Sequence, residues 1–197
     1  MANIRFSDDS EIFEINNPEE VSCLYFPLAS EAGLKSSITP DLGGDCKLDQ
    51  EGFLLEPVSS EDLRTSRSTR NFWCVTEKGC WSATGVSAEQ EAARFTPEQD
   101  ESRLTAGFMW QSVRRETKRY ALCAEITSFV PHRENVEIMY IRVTNTDAAP
   151  QRITGIAAVP IYGRSADNIR DHRNVTSMLH RIRTTDHGVQ VKPAMSF

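Results

Sequence analysis

The sequence lacks any apolar run near the ~20 residues that a membrane-crossing helix needs. Met1 to Asn17 is acidic and has no apolar stretch like that of a signal peptide. A cytoplasmic protein is therefore expected. Basic residues are in the minority, and the formal net charge is -6. Such a chain has no electrostatic reason to seek nucleic acid or an anionic membrane, so neither is expected as a partner. Paired cysteines are missing too. Cys23, Cys46, Cys74, Cys80 and Cys123 are odd in number and scattered, with no C-x-x-C spacing. This argues against a structural metal and against a secreted disulfide framework, and free thiols are expected. His172 and His180 are not at a standard metal spacing, and no G-x-S-x-G motif marks a nucleophile. No cofactor and no metal are expected.

The sequence is rich in two-residue periodicity. Leu104, Ala106, Phe108 and Trp110 alternate with polar or small residues, as in a half-buried strand. Tyr120, Leu122, Ala124 and Ile126 repeat the pattern, with Arg114 to Arg119 expected as a hairpin tip between the two. Val136 to Val143 is apolar on both faces and reads as a strand that is central or covered on both sides. The cluster Thr144 to Pro150 reads as a turn, after which Ile153 to Tyr162 is expected to pair back as a hairpin. Gly52 to Leu55 and Asn71 to Val75 are shorter strand runs, separated by a polar loop from Ser59 to Arg70. The only helix signal of note is the Ala and Glu content of Ser87 to Glu98. Many short strands with turn signals between them define an all-β antiparallel sandwich with little helix, read as one domain over 1–197. The strand-like run from Val189 stops at Phe197, which suggests a longer protein.

Several residues invite a functional reading. Arg164, Asp167, Asn168, Arg170, Asp171, His172 and Arg173 make the densest polar cluster, on a loop after an apolar strand. From composition alone it reads as a solvated charged loop with weak internal ion pairs. Trp73 and Trp110 read as core. Trp81, at a turn beside Gly79 and Ser82, is the tryptophan to test as a stacking platform. Glu89, Glu91, Glu98, Asp100 and Glu101 read as surface charge, lacking apolar neighbours to raise a pKa. Arg64, Arg67 and Arg70 recur every third residue and would suit either an anion or a solvated loop.

The series from Trp81 to Tyr162 resembles the N-terminal domain of glycoside hydrolase family 94, formerly glycosyltransferase family 36. The matching pieces, in order, begin with Trp81-Ser82-Ala83-Thr84, for a W-S-P-T-like segment. Thr127-Ser128-Phe129-Val130-Pro131 follows, for T-x-F-V-P. Val136-Glu137-Ile138 and Val143-Thr144-Asn145-Thr146 complete it, for the V-E-x strand and T-N-T turn. The likeness extends over most of the chain from about Val21. Leu24 to Leu28 and Gly163 to Asn168 lean toward the oligosaccharide-type members over the cellobiose type.

The resemblance implies a large super-sandwich of galactose-mutarotase-like fold, placed before a linker and an (α/α)6 catalytic barrel. It implies inverting phosphorolysis of a β-glucan, with inorganic phosphate as co-substrate and α-glucose 1-phosphate as product. The barrel would supply the catalytic acid and the phosphate site, so no catalytic residue is expected here and the chain alone would be inactive. Family members place a loop at the acceptor subsite, and Asp171-His172-Arg173-Asn174 corresponds best to its F-Q-R-N-like segment. This implies substrate binding by Arg173, Asp171, His172, Asn168 and Arg164, with Trp81 as a further contact. A β-glucan oligosaccharide or glucose, the helical domain and a second copy in a homodimer are the implied partners. Two rival readings remain open: a free-standing carbohydrate-binding module, and a structural sandwich with no sugar role.

Overall fold

A computed structural model describes residues 4–8, 10–21, 24–58, 69–166 and 180–193. In chain order the strands are β1 (Ile4–Phe6), β2 (Phe13–Asn16), β3 (Phe26–Ala29), β4 (Lys35–Ile38), β5 (Cys46–Lys47) and β6 (Phe53–Leu55). Then follow β7 (Asn71–Thr76), β8 (Gly79–Ser82), the short helix α1 (Ala88–Ala93), β9 (Glu101–Gly107), β10 (Trp110–Thr117) and β11 (Leu122–Phe129). The last four strands are β12 (Ile138–Asn145), β13 (Thr154–Ala158), β14 (Arg181–Thr185) and β15 (Gly188–Lys192). The fold is all-β and antiparallel, as the alternation predicts.

A six-stranded sheet runs β1-β2-β9-β10-β11-β12. A four-stranded sheet, β3 to β6, and a three-stranded sheet, β13-β7-β8, contribute to the same core. Along β11, Leu122, Ala124 and Ile126 are each 1% exposed or less and meet Leu28, Ile38, Leu55, Cys74 and Trp81. A second cluster of Ile15, Leu104, Ala106 and Val113 lies under Phe13 and Phe26. Burial of these apolar faces is the main driving force for the sandwich. The helix is capped as its sequence suggests, with the Ser87 side chain accepting from the Gln90 N–H.

Five expectations are corrected. The run Leu104 to Trp110 is broken by a two-residue turn at Phe108 and Met109, with Met109 at φ 60, so Phe108 is 86% exposed. Trp110 and Trp73 are half-buried, short of the full burial expected. Arg114 to Thr117 is the end of β10, and the turn falls at Lys118 to Ala121. Charge misleads there because Arg115 is buried against a carboxylate. Strand β12, expected to be central or covered on both sides, ends the six-stranded sheet among the described residues, with Tyr140 56% exposed. The expected hairpin from β12 does not form. Instead β13 crosses to pair with β7, from Thr154↔Val75 to Ala158↔Asn71.

Candidate functional site

The loop singled out in the sequence leaves the sandwich beside β6. Tyr162 donates to the Leu54 carbonyl (2.8 Å), Phe53 to that of Arg164 (2.9 Å) and Ala166 to that of Gln50 (2.9 Å). This short ladder fixes where the loop begins. The Arg164 side chain turns inward and is 5% exposed, and its Nε and Nη2 have no partner among the described residues. Nearby, His180 Nε2 is buried without a partner among the described residues, 3.7 Å from where a Cβ on Gly163 would stand. Asn168, Asp171, His172 and Arg173 lie outside the described residues, as do Arg64 and Arg67.

Trp81 is not the exposed platform expected. It is 2% exposed within the main core, and its indole N–H donates to Asp100 Oδ2 at 2.8 Å. The cause is β8, which pairs Trp81 with buried Cys74 and turns the ring inward. Asp100 also accepts from Gln90 Nε2 at 2.8 Å. These contacts draw Asp100, Gln90 and the turn after α1 around a cavity of about 570 Å³. The charges read as bland surface thus include cavity walls. Nothing local in the sequence signals this, since Trp81 and Asp100 are brought together only by the strand pairing.

Two buried ion pairs tie the sandwich together. Arg70 is not solvated: it is paired with Glu137, and Nη2 also donates to Ser36 Oγ at 2.8 Å. Arg115 pairs with Glu19, whose other oxygen accepts from the Ser102 hydroxyl at 2.6 Å. Burial alone would raise the Glu19 pKa, but the Arg115 charge and the Ser102 hydroxyl outweigh it and hold the carboxyl below its ordinary 4.5. Asp41 nearby is shifted up, chiefly by burial. A depressed carboxyl adds stability above its unfolded value, and this is lost as pH falls through the folded value. Glu19→Gln is therefore expected to lower the melting temperature at pH 7, by a margin that narrows below about pH 4.5. Thermal melts of both chains from pH 7 to pH 3.5 check this; a margin independent of pH would refute the coupling.

Buried thiols behave as packing groups. Burial pushes Cys46 up to about 12 and Cys74 up to about 11. Cys46, Cys74, Cys80 and Cys123 are all free. No helix among the described residues is long and apolar enough to cross a membrane.

Strand order and the twin buried clusters define an all-β antiparallel sandwich. A family model described as Glycosyl hydrolase 94, supersandwich domain, matches residues 70–190, and the chain belongs to this family. No curated protein matches the chain.

Proposed function

We propose that the chain is the carbohydrate-binding and supporting sandwich of an inverting β-glucan phosphorylase. The observation that carries this is the family match from Arg70 to Gln190, which includes the loop after Tyr162. On this reading a helical barrel supplies the catalytic acid and binds inorganic phosphate, and the sandwich lends the loop at Asp171 to Arg173 to the acceptor sugar. The reaction releases α-glucose 1-phosphate in the cytoplasm, and two copies associate. Exposed apolar side chains support a covering partner: Ile156 (48%) and Val159 (49%) on and beside β13, and Ile182 (67%) and Val189 (66%) on the β14–β15 hairpin.

The test is a coupled assay for glucose 1-phosphate from cellobiose, laminaribiose and sophorose with phosphate. The chain alone is expected to give none, because a single sandwich carries no catalytic acid for the leaving oxygen. Turnover by the chain alone would overturn the reading. In the complete enzyme, Arg173→Ala is expected to raise KM for the acceptor sugar in the synthetic direction by about tenfold, the loss of one or two hydrogen bonds. An unchanged KM would remove the loop from the acceptor site.

A further inference from the structure

A cavity of about 570 Å³ lies between the α1 segment and the end of β10. Its volume falls within the roughly 300–1,000 Å³ of small-molecule sites. Ala92, Ala93 and Pro97 give it an apolar wall. Gln99 and Asp100, also in the wall, hold unused hydrogen-bonding capacity. Gln99 Oε1 accepts from the Phe95 N–H at 2.5 Å, which fixes the amide orientation. Its NH2 then has no partner among the described residues. Asp100 Oδ2 is taken by Trp81 and Gln90, while Oδ1 has no partner among the described residues.

Neighbouring side chains thus offer a donor and an acceptor beside an apolar wall. Adjacent ring hydroxyls present the complementary pair, each being both donor and acceptor. The C–H face of a pyranose suits the apolar side. Charge narrows the choice further. Lys118 is held by Glu101 at 2.9 Å and Arg119 by Glu89, so each cation in the wall is already paired. Glu98 and Asp100 leave the cavity net negative. A phosphate would meet that field with no free cation to receive it.

We infer that this cavity binds a neutral saccharide of one or two pyranose rings and rejects sugar phosphates. The inference stands apart from the phosphorolytic reading, since the groups offered to the sugar, Gln99, Asp100 and the α1 wall, are ones that reading does not use. The indole N–H of Trp81 donates to Asp100 and reports on the site without mutation. In a 1H–15N titration with cellobiose, laminaribiose or sophorose, the Trp81 indole cross-peak is expected to move while those of Trp73 and Trp110 stay. Glucose 1-phosphate is expected to bind weaker by about tenfold or more. Ala92→Trp fills the cavity from a helix with no buried residue, so the fold is expected to persist by circular dichroism. It should abolish the calorimetric binding of the disaccharides. Gln99→Ala, which removes one donor, should weaken it by about fivefold or more. A Trp81 cross-peak unmoved by millimolar disaccharide would overturn the inference, as would equal binding of glucose 1-phosphate. Heat retained in Ala92→Trp and lost in Arg173→Ala would place the sugar on the loop, overturning the cavity and supporting the acceptor reading. The reverse pattern would support the cavity and count against the loop.

Discussion

Arg70→Ala is expected to destabilise the chain by about 3–5 kcal/mol, the cost of removing one partner from a buried ion pair. The guanidinium is 4% exposed and its partner Glu137 11%. Nη1 donates to the carbonyls of Leu42, Gly43 and Gly44 at 3.2–3.3 Å, and Nη2 to that of Asp45 at 3.3 Å. One side chain therefore fastens the β4–β5 turn to the approach to β12. Truncation strips Glu137 of its cation and the Gly44 carbonyl of its donor, while the carbonyls of Leu42, Gly43 and Asp45 keep backbone donors. Urea denaturation of the variant and the parent measures the loss. The double variant Arg70→Met with Glu137→Leu should recover much of it, because the stranded charge is then gone. A single-variant loss below about 1 kcal/mol, the worth of an exposed pair, would show that the clamp is solvated.

Gly44→Ala is expected to be of similar severity, about 3 kcal/mol or more, from backbone strain plus overpacking. Gly44 sits at φ +103, a region L side chains rarely adopt. A Cβ there would fall inside contact distance of the Ser37 carbonyl oxygen, which is backbone and cannot swing away. The same turn presents its carbonyls to Arg70, so shifting it loosens that clamp as well. Gly33→Ala is the control: its φ of +113 is equally unusual, but a Cβ would meet nothing within 4 Å. The excess of Gly44→Ala over Gly33→Ala in urea denaturation isolates the steric part. Equal losses would show that strain alone decides.

Alternation in Tyr120 to Val130 was enough to read β11 and its buried face, because a strand packed on one side writes its period into the sequence. The Ala and Glu content of Ser87 to Glu98 likewise pointed to α1. Partner choice was not legible. The cluster Thr144 to Pro150 has the composition of a hairpin turn, yet it carries the chain across to β7. A turn says that the chain reverses, not which sheet receives it. Val136 to Val143 is apolar on both faces but forms an edge, so its outer face reads like an interior one. The same blindness hid the cavity. Asp100 looked solvated among Pro97, Glu98 and Glu101, whereas its partner Trp81 stands nineteen residues earlier. Arg115 was read as a hairpin-tip charge because Glu19 is 96 residues away. Long-range pairing, not local pattern, decides which charges are buried.

The interleaved order of the six-stranded sheet has a consequence for dissection of the gene. Strand β2 pairs with β9, although 85 residues or more separate their paired positions. The match to the family begins only at Arg70, yet Ile15, Leu28, Ile38 and Leu55 pack in the clusters that β9 to β11 line. A polypeptide trimmed to 70–190 would lose Glu19, leave Arg115 stranded and bare one side of β9. The boundary of evolutionary similarity is therefore not a boundary of cooperative folding, and any excised module has to begin ahead of β2.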